Sequence, residues 1–303
     1  MTLSREDIEP ILEKLQNWLS NTNIVGMYIG KKRIAGLNTG QWAVVVHVIQ
    51  KKQLSDLNKD DFIPTSVEFP MPIPGGGYIN ESVPTDVVES GPVVEQGSLD
   101  NYKRPCPGGF QVEGEAVGLV GTLGVNIEYQ GTYRLLSCNH VLSKNGQAQN
   151  YVYQPVDSLW KWNGLADVSG YIPLTLYPNR NEPNPEFNEQ DLAWCDIDPT
   201  LGAPNIYYLG VPKGIRKPKV GERIRLVGAK TGSVQTANIQ SITFRCASNF
   251  CNTGQWAFYK NLIQLDQVIT VSGDSGAAYM ADDGYIVGLH MAADSLNSYG
   301  CML

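Results

Sequence analysis

The chain has 303 residues, 42% of them hydrophobic and 17% charged, a composition that belongs to a folded globular protein with one sizeable core plus a smaller unit. A formal net charge of −7, with no basic run beyond Lys31-Lys32-Arg33, argues against nucleic acid as a partner. No stretch approaches the roughly 20 apolar residues of a membrane span, and the start, Met1 to Ile8, lacks the basic and apolar regions of a signal peptide, so the expected compartment is the cytoplasm.

In chain order, residues 4–20 read as a helix. Ser4 is a natural N-cap, Glu6 and Asp7 favour the first turn, and Ile8, Ile11, Leu12, Leu15 and Leu19 recur at helical spacing. Two strand-like runs follow, Ile24–Ile29 and Trp42–Ile49, joined by a turn around Gly36–Gly40. These suggest a small α/β N-terminal domain over 1–62. Residues 63–105 carry Pro70, Pro72, Pro74 and Gly75-Gly76-Gly77, the pattern of a linker or extended strap. From 106 to 303 the chain becomes mainly β: Ala116–Leu119, Tyr133–Leu136, Ile224–Val227, Ile239–Phe244, Asn261–Leu265 and Gly276–Met280 are short apolar runs between turns. Asn-Thr-Gly-Gln-Trp-Ala occurs at 38–43 and again at 252–257 with unlike flanks, which reads as reuse of a turn leading into a strand. The six cysteines are expected as thiols; Cys246 and Cys251 are near enough to cap a hairpin as a disulfide, and with no further ligand beside them a metal is not expected.

With three histidines, the search for chemistry is short. His140 ends an apolar strand in Leu135-Leu136-Ser137-Cys138-Asn139-His140-Val141. Asp191 stands where a polar loop enters an apolar run, and Ser275 lies in Gly273-Asp274-Ser275-Gly276. A serine hydroxyl is a poor nucleophile unless an imidazole takes its proton and a carboxylate orients that imidazole. Gly273 lets its own N–H and that of Ser275 aim at one point, where a tetrahedral oxyanion would form. Each piece alone has a bland reading as turn, core histidine or cap. His47, in the strand Val44–Val48, has no evident partner and reads as structural.

In these segments, taken in order, the C-terminal two-thirds resembles the chymotrypsin-like serine peptidases, in the bacterial branch lacking the vertebrate disulfide pattern. The resemblance is carried by Ser137–Val141, Asp191-Leu192-Ala193, Val220-Gly221-Glu222, Gly228–Gly232, Gly273–Gly276 and Ile286–His290. It implies a double β-barrel chymotrypsin-like protease domain, with His140 and Asp191 on the first barrel and Ser275 on the second. It also implies no cofactor and a protein or peptide substrate cut through an acyl-enzyme. Val25–Lys31, the strand ending in Lys51-Lys52, and Val83–Val88 resemble what precedes such domains in some bacterial homologues. Two departures stand out. No Arg or Lys precedes an Ile-Val-Gly-Gly, so the trypsin-type freed N-terminus that would pair with Asp274 is not expected, and the further strand and helix usual after Tyr299–Leu303 are not in the sequence.

Counting from Ser275, the residue at the base of a trypsin-type pocket is Ile269, which argues against Arg or Lys as the recognised side chain. Thr270 and His290 stand at the offsets where glutamyl endopeptidases, and the related viral proteases that cut after Gln, carry the same two residues. The resemblance therefore implies cleavage after Glu or Gln, since a buried polar substrate side chain needs fixed donors. An alternative is an autoinhibited or non-catalytic scaffold whose cleft is filled by the N-terminal domain or strap. A third is a protease that cuts its own strap after Glu89, Glu95 or Gln96.

Overall fold

The structure, a computed structural model, describes residues 4–34, 36–57, 62–72, 75–90, 97–115, 118–147, 151–156 and 163–303. It consists of two compact units, Met1–Val94 and Glu95–Leu303.

In the first unit the predicted helix is in pieces. Helices α1 (Arg5–Ile8) and α2 (Ile11–Leu15) are separated at Glu9-Pro10, and Gln16–Ser20 tightens into a 3₁₀ turn. Ser4 and Asp7 form a reciprocal capping box, but Pro10 has no N–H to continue the ladder. Strands β1 (Ile24–Ile34), β2 (Leu37–Val48), β3 (Ser66–Pro72) and β4 (Tyr78–Glu89) form one sheet in the order β1-β2-β4-β3. Ile8, Ile11 and Leu15 bury against Val44, Val46, Phe69 and Val83. His47 lies on β2 with its ring 5.7 Å from that of Tyr28, a packing role.

The expected strap is therefore corrected: 66–72 and 78–89 are strands of this sheet. Phe69 and Met71 alternate inward with strand periodicity, and Pro70 sits on an edge strand, where a missing N–H breaks no ladder. The two units divide at Val94/Glu95, inside the 63–105 stretch. Glu89 ends β4, its carboxylate accepting the Lys51 N–H at 2.9 Å, whereas Glu95 and Gln96 lie outside the described residues.

The second unit is β throughout. Its strands are β5 (Cys106–Gly108), β6 (Gln111–Gly114), β7 (Val120–Thr122), β8 (Val125–Tyr129) and β9 (Thr132–Ser137), followed by helix α3 (Asn139–Leu142). Next come β10 (Tyr151–Tyr153), β11 (Gly164–Tyr171), β12 (Leu176–Tyr177), β13 (Ala193–Asp196) and β14 (Gly202–Ile206). The chain ends with β15 (Arg223–Val227), β16 (Val234–Asn249), β17 (Trp256–Leu265), β18 (Ala278–Ala281), β19 (Ile286–Ala293) and β20 (Ser298–Met302). The run expected at Ala116–Leu119 is not a strand at Gly118 and Leu119; its first two residues lie outside the described ones.

One sheet runs β7-β6-β10-β11-β13-β9-β8. Because β7 and β8 are consecutive parts of one segment bent at Leu123-Gly124, the two ends of that order are the same piece of chain, and the sheet curls closed on six strands. The other runs β12-β17-β16-β15-β18-β19-β20, and a β17–β20 pairing closes its last six strands. Both expected barrels are thus present. Closure removes open edges, and each barrel fills with side chains such as Leu123, Leu135 and Leu142 in the first and Ile224, Leu226 and Ile263 in the second. A parallel pair, β5 with β14, lies outside these sheets. No helix among the described residues is long and apolar enough to cross a membrane.

Candidate active site

His140 and Asp191 belong to the first barrel. Strand β9 ends at Ser137, Cys138 turns the chain in an extended conformation, and α3 presents His140 one residue later. Asp191 precedes β13 and is held from the second barrel: Asn188 exchanges backbone bonds with Phe258 and Lys260, and the Gln190 amide donates to the Met302 carbonyl at 3.0 Å. Asp191 Oδ2 is 2.6 Å from His140 Nδ1, and Oδ1 accepts the His140 backbone N–H at 3.0 Å. This two-point grip fixes ring and backbone together, places the proton on Nδ1, and leaves Nε2 as the free base. Burial opposes protonation of His140, but the charge and hydrogen bond of Asp191 outweigh it, so the imidazole pKa lies above its ordinary 6.5.

Ser275 comes from the turn before β18. Gly273 (φ 102°) and Gly276 (φ 97°) flank it, both in backbone conformations that L side chains rarely adopt. A Cβ on Gly276 would stand 2.1 Å from Ser137 Oγ and 2.3 Å from the Thr122 carbonyl, so the serine turn packs directly on the first barrel. The Ser275 hydroxyl donates to the Met291 carbonyl at 3.2 Å rather than to the imidazole. Met291 lines a cavity of about 190 Å³ together with His140, Asp191, Phe250, Cys251 and Tyr259. The structure joins His140 to Asp191 directly and bonds Ser275 to Met291, one of the residues that line this cavity.

The backbone N–H groups of Gly273 and Ser275 meet no acceptor among the described residues, while their neighbours are used: Asp274 N–H donates to Val271 and Gly276 N–H to His290. Asp274, fully buried, accepts from the N–H groups of Lys230 (2.9 Å), Thr231 (3.1 Å) and Val271 (2.9 Å). Three backbone donors thus take the place of a freed N-terminus.

Thr270 and His290 are both buried, and each is bonded to a residue that sequence reasoning passed over. Thr270 Oγ1 lies 2.8 Å from Ser298 Oγ, and His290 Nδ1 lies 2.9 Å from the Tyr279 hydroxyl. Burial, and secondarily the nearby His140, lower the His290 pKa to about 3, so its ring is neutral. Tyr279 lies within β18 and Ser298 begins β20, and neither carries a sequence signal of its own.

Cys138, His140 and Asp191 place one sulfur, one ring nitrogen and one carboxylate within 4.8 Å of each other. The donor set does not fit a metal. The Cys138 thiol donates to the His290 carbonyl at 3.2 Å and is kept protonated by burial and by Asp191, while His140 and Asp191 already satisfy one another. All six cysteines are free thiols, Cys246 and Cys251 included, so the possible hairpin disulfide is absent.

Two six-stranded barrels, with a His–Asp pair on one and a glycine-flanked serine on the other, define a chymotrypsin-like serine protease fold. Among solved structures, the chain is similar to a glutamic-acid-specific serine protease described as utilizing a novel histidine triad in substrate binding. That likeness has 14% identity and a TM-score of 0.45 over 64% of this chain and 92% of the other. An α-lytic protease homologue aligns at 16% identity with a TM-score of 0.48, over 65% of this chain and 92% of that one. Protease A of Thermobifida fusca aligns at 14% identity with a TM-score of 0.44, over 65% and 90%. No protein-family model matches the chain, and no curated protein does.

Proposed function

We propose that this protein is a serine endopeptidase. Ser275 attacks the scissile carbonyl, His140 takes its proton and later protonates the leaving amine, and Asp191 orients the imidazole. The N–H groups of Gly273 and Ser275 receive the oxyanion. The observation that carries this reading is the Asp191 carboxylate bonded at 2.6 Å to Nδ1 and at 3.0 Å to the backbone of His140, beside the turn that bears Ser275.

We further propose cleavage after Glu or Gln. Thr270 and His290 supply a hydroxyl and an imidazole that are already positioned by Ser298 and Tyr279. Preset polar partners are what a site needs to reward a polar side chain and reject apolar ones. A fluorophosphonate probe tests the first reading: it should label the wild type and not Ser275→Ala. A peptide library tests the second, and dominant cleavage after Arg, Lys or aromatic residues would sink it.

A further inference from the structure

The oxyanion turn is built on glycine, and glycine imposes no conformation of its own. Whatever holds Gly273 at a φ of 102° must therefore come from bonds made to the turn by its surroundings. Asp274 supplies one set, through its carboxylate. A second set converges on a single residue of the other barrel.

We propose that Thr122 is a positioning residue of the oxyanion turn, its hydroxyl tying the Gly273 carbonyl to the Ala229 amide and so holding the Gly273–Ser275 backbone in donor geometry. This rests on the catalytic reading above. Thr122 ends β7 and is fully buried. Its Oγ1 donates to the Gly273 carbonyl at 2.9 Å and accepts the Ala229 N–H at 2.9 Å. Its backbone N–H donates to the Ser275 carbonyl at 2.7 Å, and its own carbonyl accepts from Ser137 Oγ at 2.7 Å. One residue thus grips the carbonyls on both sides of Asp274.

The geometry has a direct consequence for the two free N–H groups. The peptide after Gly273 is fixed through its carbonyl by Thr122 and through its N–H by Val271. The peptide after Ser275 is fixed through its carbonyl by Thr122 and through its N–H by His290. The Ser275 N–H belongs to the peptide lying between these two, whose own carbonyl accepts the Ala277 N–H at 3.0 Å, so three consecutive peptides of the turn are each restrained. The Ala229 bond matters because Lys230 and Thr231, the next two residues, are the ones whose amides hold Asp274. Thr122 therefore links both sets of restraints. A threonine hydroxyl does this by giving its one proton and filling one of its two lone pairs. Valine has the same shape and neither function.

The test compares Thr122→Val with Thr122→Ser in the full chain. Wild type, Val and Ser variants are assayed for kcat and KM on a peptide substrate, for affinity toward a peptide boronate, whose tetrahedral adduct needs the oxyanion donors, and for melting temperature. Displacing donors without touching the substrate is expected to lower kcat of the Val variant about 10- to 100-fold with KM within about threefold, boronate affinity falling in step. The Ser variant should stay within about threefold of wild type in all three. Should Thr122→Val fail to fold, Thr122→Ala takes its place in the comparison. A Val variant as fast as wild type, a loss confined to KM, or an equal loss in the Ser variant overturns the inference alone. A wild type inert to fluorophosphonate overturns the catalytic reading, and this inference with it.

Discussion

The carboxylate of Asp274 accepts the backbone N–H of Thr231 at 3.1 Å, deep in the second unit and beside the candidate nucleophile. With the amides of Lys230 and Val271 it makes a cradle of three donors around one buried charge. A buried carboxylate survives only if its charge is met by hydrogen bonds, and those donors are fixed parts of the backbone. The turn that carries Ser275 is consequently held by backbone donors from within the second unit.

Asp274→Ala should therefore cost both stability and activity. It strips the acceptor from three amides, a loss expected to lower unfolding free energy by about 2–4 kcal/mol. Because Gly273 and Ser275 sit on either side, kcat/KM should fall at least about 100-fold. Denaturant titration and steady-state kinetics on the same preparation check both.

Gly276→Ala has no room. The new methyl group would meet Ser137 Oγ at 2.1 Å and the Thr122 carbonyl at 2.3 Å, with the backbone at a φ of 97°. Strain and overlap together are expected to cost about 3 kcal/mol or more. A melting temperature equal to wild type would contradict the close packing of the serine turn on the first barrel.

The acid limb of kcat/KM should report His140. Its pKa is raised above 6.5, and the base works only when neutral, so activity falls as pH drops through that raised value. His290, at about 3, stays neutral over roughly pH 4 to 8 and adds no second acid limb there. For stability the sign is opposite: the protonated His140–Asp191 pair stabilises the fold below 6.5 and that contribution is lost as pH rises through the folded pKa. A pH profile with its acid midpoint clearly below 6.5 would count against this assignment.

Substitutions in the proposed recognition pair should act on choice of substrate. His290→Ala is expected to reduce kcat/KM for peptides with Glu or Gln before the cut by about 100-fold or more, and to affect apolar counterparts far less. Thr270→Val should act in the same direction. Competition between paired peptides, read by mass spectrometry, gives the ratio directly, and an unchanged ratio would remove both residues from the specificity site.

Turn-bounded apolar runs were enough to read the β body, and the resemblance carried by Ser137–Val141, Asp191–Ala193 and Gly273–Gly276 to expect two barrels and to single out His140, Asp191 and Ser275. The linear order of residues was enough also to split the molecule into a small α/β unit and a β unit, but not to see that most of the stretch between them is strand. Prolines at 70 and 72 look like a linker locally, and only pairing with β4 shows that they lie on an edge strand, where their missing N–H is harmless. The candidate chemistry around Gly273–Ser275 shows the same division. The candidate nucleophile stands in four consecutive letters, Gly273–Gly276, that point to it once His140 and Asp191 are read beside them. What holds its turn is not written there: Thr122, Ala229, Lys230 and Thr231 are tens of residues away, and the bonds they make to it exist only because two closed barrels press their edges against one another. Hydrogen bonds between distant backbone groups depend on register and closure, and those are properties of the tertiary fold.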